Sequence, residues 1–215
     1  MAKETILVLC AHNDDQVLGA GGTLAKYASE GKRVRTIIFA FGEKSHPYLK
    51  PELVIETRMK EALASDKIFG GSGIAYLGLE EGNFTEGIKK KGIKEKIKFL
   101  IKQEKPSKIF THSSDDPHPD HNATYALVMD ILKKTKLDCE VYSFDVWNPI
   151  NIRQQGRPKL VVDITKTFET KMKAINAHKS QKLALFSLVW SVYVKAILNG
   201  WNNNCKYAEV FYRLN

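Results

Sequence analysis

Apolar residues fall along this chain in short blocks that alternate between two spacings. Thr5-Ile6-Leu7-Val8-Leu9-Cys10 is a continuous run of strand length. Gln16 to Glu30 follows, with Leu18, Leu24, Ala25 and Ala28 on one helical side and Gly31 as a stop. Val34 to Phe41 is the next strand, and the cycle repeats with a helical pattern from Pro51 to Phe69, the cluster Gly70-Gly71-Ser72-Gly73 and a short strand Ile74-Ala75-Tyr76-Leu77. A run from Lys89 to Lys102 is interleaved with Ile93, Ile97, Phe99, Leu100 and Ile101, which predicts an amphipathic helix with a solvated lysine face. A strand at Ser107–Thr111, a helix from Asn122 to Lys133, and strands at Glu140–Phe144 and Leu160–Ile164 come next. Continuous apolar strands alternating with helices predict right-handed crossovers and a mostly parallel sheet covered on both faces. The expected class is α/β, a Rossmann-like three-layer fold. With 215 residues and no composition shift, repeat or low-complexity tract, residues 1–215 are expected to form one domain.

Thr165 to Gln181 reads as a helix carrying His178, and Leu183 to Val194 as an almost unbroken apolar run between Lys182 and Lys195. That run is shorter than the about twenty residues a membrane span needs, so no span is expected. It is expected to be a buried core helix; a homo-oligomer contact or an apolar wall beside the cleft is the alternative.

Charge changes this picture little. The formal net charge is +9. Clustered basic residues can signal a nucleic-acid partner, but here the lysines lack the interleaved aromatics that base stacking needs, and no nucleic-acid partner is expected. Cys10, Cys139 and Cys205 are far apart and in apolar or strand-like settings, indicating neither a disulfide framework nor a CxxC metal site. The first residues run directly into a strand without signal-peptide features, and a cytoplasmic location is expected.

Chemistry concentrates at the carboxyl ends of two predicted strands. Ala11-His12-Asn13-Asp14-Asp15-Gln16 follows the first strand, and His112-Ser113-Ser114-Asp115-Asp116-Pro117-His118-Pro119-Asp120-His121 follows the strand at Ile109. Ligands of open α/β sheets lie beyond these strand ends. The spacing of His12 and Asp15 lets an imidazole and a carboxylate converge while Asp14 points elsewhere, and His121 completes a facial triad. Two histidines and one carboxylate with open positions suit hydrolytic zinc or non-haem iron. Gly19-Ala20-Gly21-Gly22 lacks the GxGxxG spacing of a dinucleotide site, and the acids beside it would repel a pyrophosphate. His46, in the loop after the second strand, is expected to be a solvent-exposed loop residue. Arg58 and Glu61 are placed to pair along one helix face, either as a surface salt bridge or to aim Arg58 into the cleft. The loop Gly78 to Phe84 brings Glu80 and Glu81 to the same side of the sheet.

Ala11-His12-Asn13-Asp14-Asp15-Gln16 resembles the AHPDDE signature, and His118-Pro119-Asp120-His121 the HPDH signature, of the PIG-L/LmbE-like zinc-dependent de-N-acetylases. Phe41-Gly42-Glu43, Arg58 with Glu61, Leu77-Gly78-Leu79 with Glu81, Ala177-His178-Lys179-Ser180-Gln181 and Ala208-Glu209-Val210-Phe211 extend the resemblance over nearly the whole chain. It implies that His12, Asp15 and His121 bind Zn2+, with Fe2+ as another divalent candidate. It implies Asp14 as the general base and His118, as imidazolium, as the stabiliser of the oxyanion. Asp120 would hold a histidine in its tautomer, and Arg58 and Glu81 would hold the sugar. The implied substrate is a small amino-sugar or glycoconjugate bearing an N-acetylglucosamine-type acetamide, cleaved to amine and acetate. Asn13 stands where the signature has proline and is expected to loosen the elbow; Gln16 stands where it has glutamate and removes a negative charge near the metal. A hydrolase of another small amide or conjugate, and a non-catalytic binding module on the same sheet, are the competing readings.

Overall fold

A computed structural model of the chain describes residues 3–134, 138–148 and 156–215. One seven-stranded sheet carries the fold: β1 (Thr5–Cys10), β2 (Arg33–Ala40), β3 (Ile74–Leu79), β4 (Lys108–His112), β5 (Glu140–Phe144), β6 (Lys159–Asp163) and β7 (Ala208–Arg213). Their spatial order is β3-β2-β1-β4-β5-β7-β6. The first five run parallel, whereas β7 lies antiparallel to both β5 and β6. The chain winds outward from β1 to β3, then returns to place β4 on the other flank of β1. The crevice beyond β1 and β4 is therefore the switch point of the sheet, where open α/β folds bind ligands.

β1 shows why the sheet is covered on both faces. All six residues are buried. Ile6, Val8 and Cys10 join one apolar cluster, and Leu7, Leu9 and Ala11 join the other. A strand with period-two side chains and no polar face has to be sandwiched. The first face is covered by α1 (Asp15–Ser29), α2 (Pro51–Phe69), α6 (Phe168–Asn176) and α7 (Lys182–Trp201). The second is covered by α3 (Phe84–Lys90), α4 (Ile93–Glu104) and α5 (Pro119–Lys134). α1 and α6 are joined below the surface by the buried pair of Lys171 and Glu209, 2.6 Å apart. Glu209 also accepts the backbone N–H groups of Gly22 and Thr23 at 3.1 and 2.7 Å.

Several boundaries differ from those the sequence predicts. The lysine-rich stretch is two helices, because Gly92 takes a left-handed φ of 61° and turns the chain between them. α5 begins at Pro119, so Asp120 and His121 sit in its first turn; proline is well suited to such a start. The helix expected over Thr165–Gln181 is shorter, with a separate 3-10 turn at Lys179–Gln181.

The largest correction concerns the apolar run at Leu183–Val194. It continues as α7 to Trp201, long and apolar enough to cross a membrane on length and composition alone. It is also no core helix. Leu185, Leu188, Val192, Ala196 and Gly200 face the protein, but Leu183, Phe186, Trp190 and Trp201 face outward, Leu183 with 95% of its surface exposed. Side-chain pattern alone does not separate these cases, since a helix apolar all round reads as buried until its neighbours are known.

Candidate metal centre

The site grows from the abrupt end of β1. After Ala11 the chain turns directly into α1, with the Asp14 carbonyl accepting the N–H groups of Val17 and Leu18. This places Asp15 in the first helical turn, where the helix dipole favours a carboxylate. Asp15 Oδ2 accepts the backbone N–H of His12 at 2.7 Å, so the elbow is closed by the carboxylate it presents. β4 ends beside it at His112, and the first turn of α5 delivers His121 from the other flank.

Three of the predicted ligands converge. His12 Nδ1 lies 3.3 Å from His121 Nε2 and 3.5 Å from Asp15 Oδ2, and His121 Nε2 lies 3.3 Å from Asp15 Oδ1. A tetrahedral ion with bonds of about 2.0–2.2 Å has donor-to-donor edges of about 3.3–3.6 Å, so each of these separations is of the size such an ion needs, with the two oxygens of Asp15 each facing one of the histidines. The outer ring nitrogens are also engaged. His12 Nε2 lies 3.2 Å from Asp120 Oδ2, and His121 Nδ1 lies 2.9 Å from Asp116 Oδ1. Carboxylates behind both imidazoles fix which nitrogen faces the centre, the arrangement that orients histidine ligands. Two overlapping sets, His12–His118–His121 and Asp15–His112–His121, each hold their donor atoms within 4.8 Å of one another.

Burial and neighbours set the charges. Burial would deprotonate His12, but Asp120 and Asp15 outweigh it and raise its pKa to about 10. His121 behaves alike, raised to about 9 by Asp15 and Asp116 against burial. Burial also opposes ionisation of Asp15, yet His121 and His112 hold its carboxyl well below the usual range. For Asp116, too, burial is the largest influence and works against the carboxylate; the facing His121 prevails and lowers it to about 2. His118 is pulled down by burial and then by His12 and His121, opposite to the imidazolium that the resemblance implies. Its Nδ1 accepts the N–H of Asp120 at 3.2 Å, which leaves Nε2 to carry the proton of a neutral ring.

The remaining predicted residues line a cavity of about 210 Å³, with His12, Asp14, Asp15, Arg58, Glu81 and His118 on its polar side and Trp147, Leu185 and Leu188 among its apolar walls. Asp14 Oδ1 is 3.4 Å from Arg58 Nη2. Arg58 is buried, and it lies against Gly42, where a Cβ would come within 2.2 Å of the guanidinium. Glu61 is not its partner: Glu61 instead accepts the N–H and hydroxyl of Ser180, each at 2.7 Å. Glu81 reaches to 4.0 Å from His12 Nε2, and Asp120 accepts the N–H of Gly82 at 2.8 Å. His46 lies outside this cavity, partly buried and in contact with the Ser45 hydroxyl. His178 is buried, with neither ring nitrogen hydrogen-bonded to the described residues.

Asn13 does not loosen the elbow. Its amide donates to the Phe41 carbonyl at 2.6 Å, and its oxygen accepts the Tyr76 hydroxyl at 2.7 Å, tying the turn after β1 to the end of β2 and, beyond it, to β3. Gln16 donates to the Asn13 carbonyl at 2.9 Å. Two residues in contact with His121 escape the sequence reading. Asp116 orients His121 while accepting the N–H groups of His118, Val146 and Trp147. His112 stacks on His121 with ring centres 3.9 Å apart and accepts the Ala11 N–H at 3.0 Å. Both lie in the stretch that ends at His121, and a carboxylate or imidazole just upstream of a ligand was the available signal.

A profile of the PIG-L family, described as GlcNAc-PI de-N-acetylase, matches residues 7–132. A Bacillus cereus protein named as a probable N-acetyl-α-D-glucosaminyl L-malate deacetylase is 26% identical over 188 residues, covering 84% of each chain. A 4-oxalmesaconate hydratase of Pseudomonas putida is 23% identical, over 91% of this chain and 79% of its own. The solved N,N'-diacetylchitobiose deacetylase of Pyrococcus horikoshii superposes with a TM-score of 0.81 at 22% identity, covering 98% of this chain and 84% of that one. With the profile spanning more than half of the chain, from β1 through the elbow at His121, the protein belongs to the PIG-L family of metal-dependent de-N-acetylase enzymes.

Proposed function

We propose that this chain is a zinc-dependent hydrolase that removes the acetyl group from an N-acetylglucosamine-type sugar, oligosaccharide or glycoconjugate, giving free amine and acetate. The observation that carries this reading is the convergence of His12, Asp15 and His121, the first two of which line a cavity that also holds Asp14. When bound there, zinc acidifies water towards a pKa of about 7 and polarises the amide carbonyl. Asp14 supplies the base: Arg58 holds one carboxylate oxygen, and the other makes no hydrogen bond among the described residues. The proton it takes from the attacking water is then available to the departing amine, as carbon–nitrogen cleavage requires. His118 donates its Nε2 proton to the carbonyl oxygen as negative charge grows there, and as a neutral donor it need not first be charged. Arg58 and Glu81 offer a donor and an acceptor to sugar hydroxyls.

A hydrolase of a different small amide is the second reading, favoured by the apolar wall of Trp147, Leu185 and Leu188 opposite the polar residues. The test is metal content of the purified protein together with amine release from N-acetylglucosamine, its short oligomers and glycosyl-linked forms, with and without a chelator. The expected result is about one metal per chain and chelator-sensitive amine release. Asp14→Asn should keep the metal and lose about 10²–10⁴-fold in kcat. Metal without turnover of any acetamido sugar would overturn the first reading in favour of the second.

A further inference from the structure

The outer face of α7 has a pattern of its own. Leu183, Ser187, Trp190, Val194, Ile197 and Trp201 are all exposed, and their spacing alternates four, three, four, three, four. A repeat averaging 3.5 residues keeps a seam straight against a second helix. The same series of steps is read from either end. A self-complementary strip of this kind is what a two-fold contact needs, since each residue meets a counterpart and is met by it in turn.

We propose that this seam joins two copies of the chain, with their α7 helices packed antiparallel about a two-fold axis. Reversal sets Leu183 against the partner's Trp201, Ser187 against the partner's Ile197 and Trp190 against the partner's Val194. Every pair matches a large side chain with a smaller one, as interlocking packing requires. α7 contains no aspartate or glutamate, and its two lysines do not interrupt the strip. Lys195 turns inward and donates to the Asn148 carbonyl at 2.5 Å. Lys182, at the N-terminal end, falls opposite the C-terminal end of the partner helix, whose carbonyls carry partial negative charge. Ser187 donates to its own helix at Ala184, so it brings no unsatisfied hydroxyl to the contact.

The area is also sufficient. Trp190 and Trp201 expose 66% and 79% of their surfaces, and Phe186, on the flank of the strip, 72%. With aromatic side chains burying about 150–250 Å² each, the seam and its flanks offer on the order of 800 Å² per copy, the share of one partner in a standard interface. A lipid surface fits less well, because a helix lying on a membrane carries a basic polar face beside its apolar one. Here the face opposite the strip is packed on the protein.

Sedimentation equilibrium of the full chain is the test. The expected result is an even-numbered assembly whose mass Trp190→Glu halves, with the circular dichroism spectrum unchanged. A second measurement fixes the direction of packing: Ser187→Cys together with Ile197→Cys should cross-link two chains under mild oxidation, and Ser187→Cys alone should not. A monomeric or odd-numbered wild type, or a mass that Trp190→Glu leaves unchanged, overturns the proposal. So does cross-linking by the single variant, which would mean parallel helices. A monomer that floats with phosphatidylglycerol–phosphatidylcholine vesicles, and no longer does so as Trp190→Glu, overturns it in favour of a membrane surface.

Discussion

His112 closes β4, His121 opens α5, and the two rings stack 3.9 Å apart with neither exposed to solvent. The strand end and the helix start nevertheless drive them in opposite directions. Burial, then the neighbouring His121, lowers His112 to about 4, whereas Asp15 and Asp116 overcome the same burial at His121 and raise it to about 9. Burial is common to both rings: it carries His112 down and is overcome at His121. What differs is the number of carboxylates in reach: among the described residues His121 has two, Asp116 Oδ1 at 2.9 Å from Nδ1 and Asp15 Oδ1 at 3.3 Å from Nε2, whereas His112 has Asp15 alone, 3.3 Å from an Nε2 that also accepts the Ala11 N–H. Both rings lie within reach of Asp15 and the candidate metal centre, and His112 in addition braces the β1 elbow through the Ala11 N–H.

Replacing each ring in turn gives the strongest contrast. His121→Phe should abolish metal retention and lower amine release by at least about 10³-fold, measured by metal analysis and single-substrate kinetics. Asp116→Asn keeps the ring and removes its orienting charge, so metal affinity should fall about 10–100-fold in a competition titration against a chelator. Dependence on pH sharpens the comparison further. In the metal-free protein His12 and His121 hold protons that metal has to displace, so affinity should rise with pH by about tenfold per unit for each proton released, up to about pH 9. Stability of the metal-free chain should move the other way. A histidine raised above its unfolded value stabilises fully below about pH 6.5, and that contribution is lost as pH climbs through about 9. Melting curves of apo and metal-loaded protein across that window should diverge; parallel curves would remove both histidines from the site. The smallest effect belongs to His112→Phe. Metal should stay, and stability should drop by about 1–3 kcal/mol in denaturant titration, because the Ala11 N–H loses its acceptor.

The alternation of apolar runs made the sheet legible, because strands buried on both faces read as largely apolar runs, as Ile6–Cys10 in β1 and Ile37–Ala40 in β2 do. The convergence of His12, Asp15 and His121 was legible for a related reason: they lie in the turns and first helical turns just beyond strand ends, and strand ends of a parallel sheet share one crevice. Asp116 was not, since its value depends on the His121 ring across a turn and on N–H groups of Val146 and Trp147, which only the folded chain brings to it. Asn13 was misread for the same reason: its partners Phe41 and Tyr76 come from two other strands. The outward face of α7 was hidden because Leu185 and Leu183 are the same residue type, and only the position of the sheet distinguishes them.

The place of β7 has a consequence for how the chain is made. Every residue of the donor triangle has been synthesised once His121 is added, well before β6 and β7, and β1 to β5 can pair among themselves as they emerge. β6, by contrast, pairs only with β7, which follows it after two helices. During synthesis β6 therefore waits with both edges unpaired, and Glu209, the carboxylate that engages the N–H groups of Gly22 and Thr23, arrives with the strand that ends the wait. A nascent chain halted before Ala208 would carry the whole candidate metal-binding set on a sheet whose last step is still a missing zipper tooth.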